Sequence, residues 1–390
     1  VPTPHHDPFD ISLAELRRRS SAKWSLVEPD VLPAWVAEMD VRLAPAVAKA
    51  LHAAIDISDS GYAGDASAAL SAMVDFHRDR FGWSMDGSRV RVFSDVHVAA
   101  VIIVRHLIEQ LGPENNGVII TPPVYNSFYT WMPEAGARVV EVPLIEPERG
   151  GRFDLAGFEA AMVAGAKILL LSSPHNPTGR VFTRDELAEL AALAHRHGVI
   201  VIADEIHAPL TFPNTEFVPW MTVSPEAREV GIWVGSASKS WNLAGFKAAF
   251  VYTERENVYP ADRTPENTWG AGLFGLISAE AAYRDSRDWL DDVRAGLAKN
   301  ATLLGRLLGE HLPEVGYHPP EASYLAWLNV AALDLGPNPT QTLLDEGRIF
   351  VSPGPIFGAS TDWIRLNIGT SPTHVREYVA RIAAVVANRR

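Results

Sequence analysis

The stretch Gly235-Ser-Ala-Ser-Lys-Ser-Trp-Asn-Leu-Ala-Gly-Phe-Lys247 follows a short apolar run, Ile232 to Val234, that reads as a buried strand. Lys239 lies among small and apolar residues at the end of that strand. An amine so placed can be desolvated, which depresses its pKa and makes it a nucleophile. Serines, backbone N–H groups and a second lysine, Lys247, could hold an anion such as a phosphate. A solvated lysine in a serine- and glycine-rich loop would carry the same residues, so other strand ends have to decide.

Four of them contribute. Leu171-Ser-Ser-Pro-His-Asn-Pro-Thr-Gly-Arg180 leaves a buried run through a turn in which Asn176 could direct an amide into a crevice, although turn chemistry alone explains an Asn-Pro pair. Val199-Ile-Val-Ile-Ala-Asp204-Glu-Ile-His207 ends an apolar strand in a carboxylate, which needs a positive partner if buried. His207 follows three residues later, and Asp204, Glu205 and His207 lack the spacing of a metal site. Tyr125, in Pro122-Pro-Val-Tyr125, could stack on a planar ligand or simply pack at a rim. Arg365, embedded in Ile364-Arg-Leu-Asn-Ile-Gly369, wants a carboxylate, from a ligand or from an internal salt bridge. Tyr62, between Gly61 and Gly64, is poorly packed by its sequence neighbours and could reach a site.

One cofactor uses all of these groups. A lysine amine can condense with an aldehyde, a carboxylate can keep a pyridine nitrogen protonated, a tyrosine can stack on the ring, and serines, a lysine and amides can hold a phosphate. That set describes pyridoxal 5'-phosphate. No Gly-x-Gly-x-x-Gly or Walker motif supports a dinucleotide or nucleoside triphosphate. A formal charge of −13 argues against nucleic acid or an anionic membrane as partner. The absence of cysteine excludes disulfides and thiolate chemistry. Val1-Pro-Thr-Pro-His-His lacks the features of a signal peptide, and no apolar run approaches a membrane span, so a cytoplasmic location is expected.

The elements that must position these residues are also readable. Chain length suggests two domains. Residues 1–43 read as an arm with a short helix near Leu13 to Arg19. Pro45 opens a helix with Val47, Leu51 and Ile55 on one face, and Asp65 can cap a second one. From about residue 90, apolar runs at Val118, Arg138, Ile168, Val199, Ile232 and Ala248 suit strands covered on both faces. Helices lie between them, including one from Thr183 to His197 opened by a Thr183/Glu186 capping box and one with Leu155, Phe158, Met162 and Val163 on one side. A long helical region spans residues 276–312, and strands near 323–328 and 364–368 precede a final helix. This alternation predicts an α/β fold with a mostly parallel sheet, whose ligands sit at the C-terminal strand ends.

Ser236-Ala-Ser-Lys239-Ser-Trp-Asn-Leu-Ala-Gly245, Pro174-His-Asn-Pro-Thr-Gly-Arg180 and Asp204-Glu-Ile-His207 together resemble the motifs of fold-type I pyridoxal-phosphate enzymes. Within the class I/II aminotransferase superfamily the likeness is to the cystathionine β-lyase, or carbon–sulfur lyase, branch. Glu38-Met-Asp40, Gly61-Tyr62 and Arg365-Leu-Asn367 agree in weaker ways. The resemblance implies a seven-stranded, mostly parallel large domain over residues 44–285. A smaller α/β domain would be built from 286–390 with the arm 1–43. It implies that Lys239 carries the cofactor and later moves a proton, Asp204 pairs with the pyridine N–H, Asn176 and His207 lie by the ring oxygen, and Tyr125 stacks. Ser236, Lys247, Val98 and Ala99 would face the phosphate, and Arg365 would clamp the substrate carboxylate. Tyr62 would serve the neighbouring subunit of a homodimer. The implied reaction is β-elimination of L-cystathionine or a related S-substituted cysteine, with amino-group transfer to a 2-oxoacid as the alternative. Ser94-Asp-Val-His-Val98 departs from the branch's usual Ser-Pro-Gly-Val-Val, and the loop after Phe357-Gly358 is altered to Ala359-Ser-Thr-Asp.

Overall fold

The computed structural model describes residues 7–260 and 270–390. Its centre is a seven-stranded sheet of β1 (Arg91–Phe93), β2 (Gly117–Ile120), β3 (Arg138–Glu141), β4 (Ile168–Ser172), β5 (Ile200–Asp204), β6 (Gly231–Gly235) and β7 (Ala249–Tyr252). The order across the sheet is β1-β7-β6-β5-β4-β2-β3. Only β7 runs against the others, because it alone pairs antiparallel with both of its neighbours.

The side-chain period of a strand sorts the central residues onto two faces. Ile168, Leu170, Ile200, Ile202, Ile232 and Val234 enter the core under the Val96–Leu111 helix. Leu169, Leu171, Val201, Ala203 and Trp233 enter the larger core on the other face. Both faces are therefore covered, and β4, β5 and β6 are buried along their whole length. The Arg138 run differs from expectation. As β3 it has one neighbour, β2, and its residues are half-buried or exposed, as suits an edge.

Thr183 and Glu186 make the expected reciprocal cap on the Arg184–Arg196 helix. Ala54, not Ile55, completes the inward face of Pro45–Asp56, and Ile55 is 56% exposed. Val163, the last residue of Leu155–Val163, likewise faces outward. The region 276–312 is two helices, Leu273–Asp285 and Arg287–His311, parted at Ser286. There the Ser286 hydroxyl donates to Ala281 O and its own carbonyl accepts from Trp241 Nε1, so local polar bonds replace helical continuity.

A four-stranded antiparallel sheet contains Leu325–Asn329 and Trp363–Asn367, and the Pro372–Arg389 helix packs on Arg287–His311 in the same core. The N-terminal arm joins this unit, since Leu32–Pro33 pairs in parallel with Ile349–Phe350. Farther along the arm, Lys23 and Asp40 form a fully buried ion pair at 2.8 Å, and Trp24 Nε1 donates to the other Asp40 oxygen. Among the described residues no helix is long and apolar enough to cross a membrane.

Candidate active site

The C-terminal ends of β4, β5 and β6 open into one cavity of about 320 Å³. Its walls include Asn176 from the turn after β4, Asp204 and His207 from the end of β5, and Ser236 and Lys239 from the end of β6. Tyr125, following β2, and Lys247 complete the set. Residues separated by as many as 122 positions, from Tyr125 to Lys247, thus meet because adjacent parallel strands end on the same edge.

Lys239 lies on the short Ala237–Ser240 helix, which Ser236 caps by accepting the Ser238 N–H at 3.0 Å. Its Nζ donates to Ala37 O at 3.1 Å, and among the described residues no carboxylate pairs with it. Burial, reinforced by the positive Arg365, brings its pKa down to about 8. Asp204 accepts the Ile206 N–H at 3.1 Å, and burial pushes its carboxyl up to about 6. His207 bonds Ser323 Oγ through Nδ1 at 3.0 Å, and burial holds it neutral with a pKa of about 3.

Arg365 is 5% exposed. Its Nη1 donates to Asn176 Oδ1 at 3.1 Å and its Nη2 to Trp35 O at 2.9 Å, while the Phe357 ring lies 4.6 Å from its guanidinium carbon. Nε is buried without a partner. The internal salt bridge that the sequence left open does not form: all these partners are neutral. Burial lowers the Arg365 pKa to about 10, so it remains a cation at neutral pH. A buried cation with spare donors calls for a carboxylate.

The strap Trp35–Asp40 was marked in the sequence only by the weak motif Glu38-Met-Asp40, and its contacts with the site were not anticipated. Trp35 O also accepts Ser352 Oγ, and Val36 O and Glu38 O share Asn367 Nδ2. Ala37 O takes Tyr324 O–H at 3.0 Å beside Lys239, and Asn242 bonds both the N–H and the carbonyl of Met39. Nothing in the residue types of the strap announces this, because its backbone carbonyls make the contacts. Ser323 and Tyr324, which meet His207, were missed for a related reason: they enter from the smaller sheet's side of the fold.

Val98 and Ala99, expected to face the phosphate, are not among the residues that line the cavity. Asp95 caps the Val96–Leu111 helix and takes the Val98 N–H at 2.8 Å, while Ala99 is buried in the core and its N–H bonds Asp95 O. The cavity is lined instead by Ser94, Asp95, Val96 and His97, one turn nearer the helix start. An acidic residue just before a long apolar helix was the signal that could have revealed this. Lys247 reaches the same end, where Nζ pairs with Asp95 Oδ2 at 2.9 Å. Ser236 lines the cavity but donates its proton to Ala248 O, so binding an anion requires redirecting that hydrogen. Tyr125 packs edge-on against Phe128 and Trp131. Tyr62 is fully exposed and does not line the cavity.

The donor set therefore fits pyridoxal 5'-phosphate on chemical grounds. A depressed amine, a buried carboxyl and a helix start with serines and a lysine border one cavity of suitable size. A sequence profile of the aminotransferase class I and II family matches residues 43–382. The chain belongs to that family. Pyridoxal phosphate is the family's cofactor. A Mycobacterium leprae protein is 38% identical to this class I and II member over 404 residues, covering 97% of this chain and 98% of its own. A Corynebacterium glutamicum protein named cystathionine beta-lyase is 31% identical over 376 residues, covering 96% and 99%. A Corynebacterium diphtheriae crystal structure matches with a TM-score of 0.88 at 32% identity, covering 97% of this chain and 98% of that one.

The buried groups also set a pH dependence for this family member. Glu205, next to Asp204, is pushed by burial from 4.5 up to about 8, and one of its oxygens accepts the Trp220 N–H at 2.6 Å. Its raised value contributes stability at low pH that is lost as pH rises from 4.5 through about 8. Asp204 does the same only up to about 6. His77, His175 and His207 act oppositely but below 6.5, and Lys239 acts oppositely above about 8. Between 6.5 and 8 Glu205 is left in control. Without cofactor, the melting temperature should fall across that interval, and Glu205→Gln, which keeps the acceptor for Trp220, should flatten it. Calorimetry of both proteins at the two ends of the interval checks this.

Proposed function

We propose that this protein is a pyridoxal-phosphate-dependent carbon–sulfur β-lyase that cleaves L-cystathionine or a related S-substituted cysteine to a thiol, pyruvate and ammonia. The observation that supports the reading is the pairing of a depressed amine, Lys239, with a buried guanidinium, Arg365, that has no counter-carboxylate among the described residues. The relatives add the choice of reaction. The Corynebacterium glutamicum protein named cystathionine beta-lyase aligns over nearly its whole length.

When bound, the cofactor supplies an electron sink for the charge that develops at the substrate's α-carbon. Arg365 binds the substrate carboxylate, which fixes the α-carbon relative to Lys239. The Lys239 amine takes the α-proton; with a pKa of about 8, a useful fraction is neutral at neutral pH. Asp204 offers a carboxylate for the protonated ring nitrogen, and Asn176 and His207 offer polar edges to the ring. Ser236, Lys247 and the helix start at Val96 would hold the phosphate. Cleavage of the C–S bond leaves its electron pair on sulfur, which departs as thiolate and is protonated to the thiol. Water then hydrolyses the three-carbon product to pyruvate and ammonia.

Tyr62 gives the same reading a quaternary element. A fully exposed tyrosine near the exposed Ile55 and Ile57 suits a homodimer in which each subunit lends Tyr62 to the other's phosphate end. The experiment is incubation with cystathionine in the absence of any oxoacid, together with sedimentation of the holoenzyme. Stoichiometric pyruvate and homocysteine from a dimer are expected. Consumption of an added 2-oxoacid without pyruvate release would make the protein an aminotransferase, and a monomer at full activity would remove the role of Tyr62.

A further inference from the structure

The anion end of the cavity contains a charge that works against an anion. Asp95 spends Oδ1 on the Val98 N–H at 2.8 Å and Oδ2 on Lys247 Nζ at 2.9 Å. Burial opposes its charge, but the Val98 N–H and Lys247 outweigh burial and hold its pKa below the ordinary carboxylate value, so it is ionised at neutral pH. Lys247 is fixed from its backbone. Its φ is +64°, its carbonyl accepts the Gly272 N–H at 2.8 Å, and a Cβ on Gly275 would lie 2.7 Å from that carbonyl. The backbone there is closely packed, and the half-exposed side chain leaves it toward Asp95 on the cavity wall.

Asp95 and Lys247 line the same cavity as Ser236 and Ser238. The cation best placed for a phosphate is thus already paired, and the pair is electrically neutral. A phosphate ester entering here must win Lys247 from Asp95 and then stand near a carboxylate. We propose that Asp95 is a counter-charge that weakens the hold of this pocket on phosphate esters and speeds their exchange. The proposal rests on the cofactor reading above and adds a residue that the reading does not need. For a helix cap alone asparagine would serve equally well, since its side-chain oxygen accepts the same N–H. The charge is what distinguishes the two.

At an effective dielectric of about 20, removing a unit charge several ångströms from a dianion changes affinity by about tenfold or more, and the exposure of Lys247 places the expectation at the lower end. The test uses apoenzyme forms of wild type, Asp95→Asn, Lys247→Gln and the double variant. Dissociation constants and release rates of pyridoxal 5'-phosphate are read from tryptophan fluorescence, and inorganic phosphate is titrated separately as a second probe. Asp95→Asn should bind both probes about tenfold more tightly and release the cofactor correspondingly more slowly. Lys247→Gln should bind about tenfold more weakly, and the double variant should return close to wild type.

Unchanged binding in Asp95→Asn would reduce Asp95 to a helix cap and overturn the proposal. Weaker binding would make Asp95 an orienting partner for Lys247 and overturn it as well. Wild-type protein that binds inorganic phosphate but not the cofactor would sink the cofactor reading, while the effect of Asp95→Asn on phosphate would still decide the charge question. Binding of neither probe by wild type would refute both.

Discussion

Replacing Lys239 with alanine should lower β-elimination by at least roughly 10²- to 10⁴-fold, the range for losing a positioned proton-transfer group. Loss of the nucleophilic amine adds to that figure. Stability should not follow activity. The side chain is half-buried at the cavity wall, its contact is one neutral carbonyl at 3.1 Å, and desolvation depresses its pKa, so the folded state disfavours its charge. Alanine removes that burden, so the melting temperature should hold or rise at neutral pH. Cofactor should still enter, held by the phosphate end without a covalent bond, and should wash out on dialysis. Single-turnover thiol release beside calorimetry separates the two effects. Near-normal elimination by the variant would remove Lys239 from the chemistry.

Arg365→Met should reduce kcat/KM for an amino-acid substrate by roughly 10²- to 10³-fold, as expected when one partner of a buried charged contact is removed. The geometry says why Arg365→Lys should not rescue it. Nη1 and Nη2 each spend one hydrogen, on Asn176 and on Trp35, and each retains another for a carboxylate. A lysine ammonium offers no such planar pair and cannot keep both neutral anchors while it binds. The measurement is the discrimination between a substrate and its α-carboxamide. Wild type should favour the acid strongly, and both variants should nearly lose the preference. Equal preference in wild type and Arg365→Met would place the carboxylate elsewhere.

How much of this was legible depended on whether a residue acts through its side chain from its own element. Lys239, Asp204, Asn176 and Tyr125 follow β6, β5, β4 and β2, and the apolar runs that build those strands mark where each ends. Arg365 was readable as a charge inside an apolar strand, but its neutral surroundings were not, because Asn176 and Trp35 come from other parts of the chain. Val98 and Ala99 lie off the cavity wall, which Ser94 to His97 line instead, because Asp95 sets where the helix begins. The break at Ser286 escaped notice since helical spacing continues on both sides of it. Tyr62 lies away from the cavity because it faces outward. The strap was least legible of all, since hydrogen bonds to carbonyls leave no signature in residue type.

That strap also orders the protein's assembly in time. Its carbonyls are bonded by Lys239, 202 positions downstream of Ala37, and by Arg365, 330 positions downstream of Trp35. A ribosome delivers the strap early and Arg365 late, at roughly 5–20 residues per second. The large sheet can form from residues 91–252, and Lys239 and Asn242 can then meet Ala37 and Met39, while the carbonyls of Trp35, Val36 and Glu38 still lack Arg365 and Asn367. Catalytic competence should therefore arrive as a late event of synthesis, and nascent chains stalled before Arg365 should bury a complete sheet without a finished site.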